Sequence, residues 1–202
     1  MFCLFVSHSL SDSKIAHGCR WLKVFYHDSS TSSFFSSYSE ALSSKTQYKY
    51  SIIGEIDSKY QFNGKYEFLL EYPGIDGYNR WRQTYNPKDN PETSGQAAIG
   101  YEGVNISFPG RFWGGLVRST NSNTAFEGSA GHANWWFAIG CYNPEVSPNL
   151  FPGPALSDTQ YITVTKVFLW VRIDHIEPIF TYKNNQIPIS KIQFIIAVVL
   201  MN

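Results

Sequence analysis

Hydrophobic and polar positions alternate with a period of two over short stretches of the chain, and turn residues separate the stretches. The clearest case is Lys65 to Tyr72, where Tyr66, Phe68, Leu70 and Tyr72 alternate with Lys65, Glu67, Leu69 and Glu71. That spacing predicts an antiparallel strand with one polar-leaning face half in water. Asn63-Gly64 opens it with a hairpin-turn signal and Pro73-Gly74 closes it. Similar runs, rich in aromatic and β-branched residues, lie at Trp21–His27, Tyr50–Ile53, Trp81–Thr84, Val104–Phe108, Trp135–Ile139 and Tyr161–Ile173. Phe112–Val117 is split by Gly114-Gly115, which implies a bulge or a close backbone approach. About eight short strands at intervals of roughly 8–12 residues are the pattern of a sandwich or barrel. The expected fold is therefore all-β: an antiparallel, jelly-roll-like β-sandwich with little helix. One short helix is expected at Tyr38–Leu42, because Ser37 and Glu40 have the spacing of a capping box.

The organisation read from this pattern is an irregular segment over 1–20, a β-sandwich domain over 21–174 and an extension over 175–202 with an apolar end. The apolar start, Met1–Val6, is shorter than the apolar stretch of about 7–15 residues that a secretion leader needs. The apolar end, Ile192–Met201, is shorter than the roughly 20 residues that span a bilayer. No transmembrane segment is expected. The apolar end instead motivates a scaffold reading, in which the domain meets a partner chain without any small ligand.

Composition sharpens the picture in two ways. Apolar residues make up 43% of 202, enough for a real core. Lys plus Arg balances Asp plus Glu, 16 against 16, so no electrostatic field gathers phosphates and a nucleic-acid partner is not expected. Cys3, Cys19 and Cys141 contain no C-x-x-C, which excludes a zinc ribbon or thioredoxin-like site. They read as small buried hydrophobes, with one disulfide as the alternative.

Catalytic chemistry finds little to stand on. None of His8, His17, His27, His132 and His175 pairs at i, i+4 or lies in H-E-x-x-H. Gly128-Ser-Ala-Gly131 has the wrong spacing for a nucleophile elbow, and Gly110–Gly115 lacks the Lys-Ser/Thr and helix of a phosphate loop. Glu67 and Glu71 share a strand face, but residues four apart on a strand stand ~13 Å apart, beyond the ~5–9.5 Å of glycoside-hydrolysing carboxyl pairs. No cofactor is expected. Calcium remains an option through the loop aspartates Asp57, Asp76, Asp89 and Asp158, although no D-x-D-x-D-G loop occurs. Asn105-Ile-Ser107 is a glycosylation sequon within an expected strand.

Aromatic residues, 17% of the chain, give the functional lead. Trp81, Trp113, Trp135, Trp136 and Trp170 recur beside Arg82, Gln83, Asn86 and Asn134. An aromatic plate with planar amides and a guanidinium suits the apolar C–H faces and hydroxyl ring of a sugar. Trp135 and Trp136 point to opposite faces of a strand, so one of them belongs to the core. The expected ligand-binding set is Trp81, Arg82, Gln83, Asn86, Trp113, Asn134 and Trp135, carried on loops, with Trp81 and Trp113 exposed.

The order of motifs is itself distinctive. It runs Trp21-Leu-Lys-Val-Phe-Tyr-His27, Tyr50-Ser-Ile-Ile53, Gly64-Lys-Tyr-Glu-Phe-Leu-Leu-Glu-Tyr-Pro73 and Trp81-Arg-Gln-Thr-Tyr-Asn-Pro87. Gly100-Tyr101, Trp113-Gly-Gly-Leu116, Trp135-Trp-Phe-Ala-Ile-Gly140, Pro152-Gly-Pro154 and Val167-Phe-Leu-Trp-Val-Arg172 follow. Over residues 21–174 this order resembles a widespread, uncharacterised β-rich domain of single-celled eukaryotes and some simple animals. The closing strand is similar to the last strand of discoidin-type sandwiches. The resemblance implies a domain found alone, in large paralogous sets or beside extracellular adhesion modules, and with it an extracellular or cell-surface place; it supplies no activity. The sequence-based expectation is a non-enzymatic, lectin-like recognition or adhesion module that binds a glycan or a protein. A carbohydrate-active hydrolase and a ligand-free interaction domain are the alternatives.

Overall fold

The computed structural model describes residues 12–90, 96–120, 123–129, 136–142, 162 and 164–174. Among them eleven strands form two antiparallel sheets, a β-sandwich of unequal halves. The strands are β1 (Ser13–Ala16), β2 (Cys19–Asp28), β3 (Ser44–Lys45), β4 (Lys49–Ser51), β5 (Tyr66–Glu71) and β6 (Tyr78–Gln83), then β7 (Glu102–Ile106), β8 (Trp113–Arg118), β9 (Thr124–Ser129), β10 (Ile139–Cys141) and β11 (Lys166–Arg172). The large sheet runs β3-β4-β2-β11-β5-β6-β7, with β1 paired to β2, and the small sheet runs β10-β9-β8. The last strand thus lies between the second and the fifth, so the centre of the large sheet closes only when β11 arrives.

The expected turns take the expected forms. Asn63 and Gly64 both adopt positive φ, 52° and 76°, and Phe62 and Lys65 exchange backbone bonds across them. The Tyr72–Ile75 turn has Pro73 at its second position, Gly74 at φ 90°, and the Ile75 amide bonded to the Tyr72 carbonyl. The short helix α1 spans Tyr38–Leu42, and its cap Ser37 accepts from the Glu40 amide at 3.2 Å.

Period two decides what is buried. On β11, Val167, Leu169 and Val171 are inside, while Lys166, Phe168, Trp170 and Arg172 are half-buried on the other face. On β6, Asn79, Trp81 and Gln83 are inside, and Tyr78, Arg80 and Arg82 face outward. A bulge interrupts β2: Leu169 pairs with Phe25 and Trp170 with Lys23, so Val24 is the extra residue. That is why consecutive Val24 and Phe25 both lie in the core. The small sheet supplies Trp113, Leu116, Ala125, Phe126 and Ile139 to the same core.

Four expectations need correction. Residues 13–20 are not irregular: β1 and the start of β2 form a hairpin through His17 and Gly18, at φ 52° and 72°. Glycine and a φ-tolerant histidine make that a two-residue turn. Trp136 and Phe137 form a turn, with Phe137 at φ 56°, and the strand there starts only at Ile139. The outer face of β5 is not half in water, because Glu67 and Leu69 are buried as well as their inward neighbours. The count also rises from about eight strands to eleven, because β1, β3 and β9 (Thr-Ala-Phe-Glu-Gly-Ser) carry weak strand patterns. Among the described residues no helix is long and apolar enough to cross a membrane.

Candidate ligand-binding face

The described residues singled out as a loop-borne site are mostly interior, on β6 of the large sheet, on β8 of the small sheet and just after β6. Trp81 is fully buried and Trp113 is 7% exposed, so the expected exposure of both is corrected. Their rings meet edge-to-face with centroids 4.9 Å apart. The reason is parity: Trp81 shares its face of β6 with Asn79 and Gln83, whereas the charged Arg80 and Arg82 mark the opposite face. Gln83 and Asn86 are also interior. Gln83 accepts from Trp81 Nε1 (2.7 Å) and the Leu116 amide (3.1 Å), and it donates to the carbonyls of Tyr85 (2.7 Å) and Leu116 (3.0 Å). All four of its hydrogen-bonding positions are used, and none is left for a ligand. Asn86 donates to the carbonyls of Ile53 and Ile56, and its oxygen caps the turn at Lys88. These amides replace backbone partners where the chain is irregular. Asn134 and Trp135 lie outside the described residues.

Gly115 explains the glycine pair of β8. Its φ is +85°, and a Cβ there would lie 2.9 Å from Gln83 Oε1 and 3.0 Å from Trp81 Nε1. The register of β8 against β9 shifts between Trp113 and Val117, so the bulge and the close approach are both present.

Of the described members of this set, Arg82 alone faces outward, and it is committed to an ion network. Glu67, 4% exposed at its side chain, receives Arg80 Nε at 2.6 Å, Arg82 Nε at 3.0 Å and Arg172 Nη1 at 3.1 Å. Arg82 also reaches Glu102, and Arg172 reaches Asp174. Burial pushes the Glu67 carboxyl up, but the hydrogen bonds of Arg82, Arg80 and Arg172 outweigh it and hold it below the usual carboxylate range. Three guanidinium groups on one carboxyl stabilise its charged form. Its strand-mate Glu71 is ion-paired with Lys14.

The remainder of this outer face is different in kind. Tyr26, Phe168 and Trp170 stand in a row across β2 and β11, with centroid separations of 4.8 Å and 5.7 Å. All three are half-buried. Phe168, Trp170 and Glu71, with the Tyr72–Ile75 turn and Gly77, line a shallow open cavity of about 270 Å³. Gly77 has φ +115°, and a Cβ there would come within 2.7 Å of Ser107, so the turn leading into β6 is held tightly to the strand-end beside it.

The β1–β2 hairpin lies over the neighbouring part of the face. Trp21 donates to the Ala16 carbonyl at 2.9 Å, and Cys19, Trp21 and Leu69 make a small second core. Arg80 donates to the His17 carbonyl, and the His17 ring lies 4.0 Å from that of Tyr78. Lys14 points down to the same face, over the Trp170 ring at 4.2 Å, while its neighbour Ile15 is 84% exposed. Sequence reasoning named Trp170, Glu71 and the Pro73-Gly74 turn separately, and it did not join them with Phe168, Tyr26 and Lys14 on one face. The available signal was the alternation of β11, which puts two aromatic rings on the parity of Lys166 and Arg172.

Other candidate chemistry is accounted for locally. Asp57 caps a single helical turn and pairs with Lys59, Asp89 pairs with Lys88, and Asp76 is exposed between β5 and β6. Asp158 lies outside the described residues, and among those described no three His, Cys, Asp or Glu side chains form a metal-holding group. Cys19 and Cys141 are free and buried; burial pushes the Cys141 thiol up to about 12. Cys3 lies outside the described residues. Asn105 is exposed on β7 and donates to the Tyr78 hydroxyl at 2.9 Å. No family model, curated protein or solved structure matches the chain.

Proposed function

We propose that this protein is a non-enzymatic recognition module that binds a saccharide on the outer face of its large sheet. The observation that carries the reading is the shallow cavity bounded by Phe168 and Trp170, with Glu71 at its polar side. Half-buried rings offer an apolar surface to the C–H face of a sugar, and a carboxylate accepts from its hydroxyls. Both rings project from β11, which pairs along both edges, so the surface is preorganised by the sheet rather than by loops. A ligand would therefore lose little freedom of the protein on binding. The aromatic pair expected from the loops, Trp81 and Trp113, takes no part in this reading because it belongs to the core.

A glycan-array screen of the full chain, followed by calorimetry with the best ligand, tests the proposal. Trp170→Ala and Phe168→Ala should abolish binding while the far-ultraviolet circular dichroism stays unchanged. Binding that survives both substitutions would place the site elsewhere. A folded protein that binds no saccharide on the array would remove the reading and favour a protein partner.

A further inference from the structure

We propose that the saccharide recognised at this cavity carries an unsubstituted, protonated amine; the inference rests on the recognition reading above. Among the described residues, Glu71 is the single charged side chain that lines the cavity. It is bound by Lys14, whose ammonium lies over the Trp170 ring at 4.2 Å and forms an ion pair with Glu71. An indole face and a carboxylate converging on one ammonium are a complete recognition set for a cation: quadrupole attraction from the ring, charge and hydrogen-bond acceptance from the acid. Lys14 fills that set from the side of the β1–β2 hairpin, while the cavity opens on the same Glu71 and Trp170 from the side of the Tyr72–Ile75 turn.

Lys14 is well placed to give way. It sits on a four-residue strand whose pairing is with β2 alone, and its side chain is 27% exposed. The flexible stem can swing into water without breaking a backbone bond of the hairpin. A ligand amine that enters beside Trp170 would replace the lysine on Glu71, with the sugar ring lying against Phe168. A neutral hydroxyl cannot take over the charge of Lys14, and an acetylated amine has none to offer. Discrimination by charge at Glu71 therefore selects the free amine. Lys14 acts as an internal competitor that sets the affinity.

Full-length protein titrated with oligomers of glucosamine and with matched N-acetylated oligomers, at a pH where the amine is charged, tests this. Tryptophan fluorescence and calorimetry give the affinities. The wild type should favour the free-amine oligomer. Lys14→Met should strengthen that binding by about tenfold and leave the acetylated oligomer nearly unchanged. Glu71→Gln should erase the preference. Thermal melts of both variants check folding. Equal affinity for the two oligomers, or a Lys14→Met gain shared by both, would overturn the amine inference and leave the recognition reading standing. Binding of neither oligomer, with another saccharide bound in a Trp170-dependent way, would also overturn the amine alone. No saccharide binding of any kind would overturn both.

Discussion

Trp81 of the large sheet and Trp113 of the small sheet meet edge-to-face, their ring centroids 4.9 Å apart and their planes at 84°. Trp113 in turn meets Phe137 at 4.8 Å and 71°, so one aromatic chain ties three segments far apart in sequence. Edge-to-face pairing places the positive rim of one ring on the negative face of the other. Truncating either tryptophan opens a large void that rigid sheets refill poorly. Trp81→Ala or Trp113→Ala should each cost about 3–5 kcal/mol, read as a lowered urea midpoint. A loss below about 1 kcal/mol for either would show that the ring does not hold the sheets together.

Gln83 should be as sensitive as the rings beside it. Gln83→Leu is close in volume but strands the Trp81 indole N–H, both backbone groups of Leu116 and the Tyr85 carbonyl. Each stranded buried group costs about 1–3 kcal/mol, so the substitution should destabilise by at least about 2 kcal/mol. Gly115→Ala should fail for a related reason, since its Cβ would press on Gln83 and Trp81 at positive φ. Thermal denaturation of the two variants checks both.

His27 gives the fold an acid limit. It is fully buried, and its Nε2 lies 2.7 Å from the Ser33 carbonyl, so Nε2 donates and Nδ1 is the bare nitrogen. Burial is the largest influence and, with Lys49, pushes the imidazole down; the Ser33 carbonyl, Asp28 and Glu40 pull it up, and it ends at about 4 from 6.5. The folded state therefore prefers the neutral ring. Its contribution is complete above pH 6.5 and is lost as pH falls toward about 4, a total of roughly 3 kcal/mol. Urea unfolding at stepped pH should show this slope, and His27→Gln should flatten it. An unchanged slope in that variant would assign the acid sensitivity to other groups.

Glu67 should show the cost of an uncompensated charge. Glu67→Gln leaves Arg80, Arg82 and Arg172 converging on a neutral amide. Breaking a buried pair by removing one partner costs about 3–5 kcal/mol. Because its carboxyl is held low, the wild type keeps this contribution above the unfolded value of 4.5 and loses it as pH falls further. The variant should lack that acid-side loss, a difference that unfolding curves below pH 4.5 reveal.

Much of the sandwich was legible because its strands obey period two and its turns carry their own chemistry. Asn63-Gly64 and Pro73-Gly74 form as their residues dictate, and Ser37 caps the helix while Glu40 reaches back to Ser36 rather than to the Ser37 amide. The candidate site was less legible, for a physical reason. Aromatic residues near amides look alike whether the amides serve a ligand or stand in for backbone partners, and at Gln83 and Asn86 they do the latter. Parity along the strand separates the cases: Trp81 shares its face with Asn79 and Gln83 and is core, while Trp170 shares its face with Lys166 and Arg172 and reaches the surface. The cover provided by the β1–β2 hairpin could not be read that way. It depends on a His-Gly turn and on contacts from Lys14 and His17 to strands far along the chain.

The most direct measurement of the central claim is the indole N–H region of a nitrogen–proton correlation spectrum, recorded as the best array saccharide is added. The account predicts that the Trp170 signal moves in proportion to binding, while the Trp81 signal, bonded to Gln83 in the core, stays in place. A saccharide that binds and leaves Trp170 unmoved would contradict it.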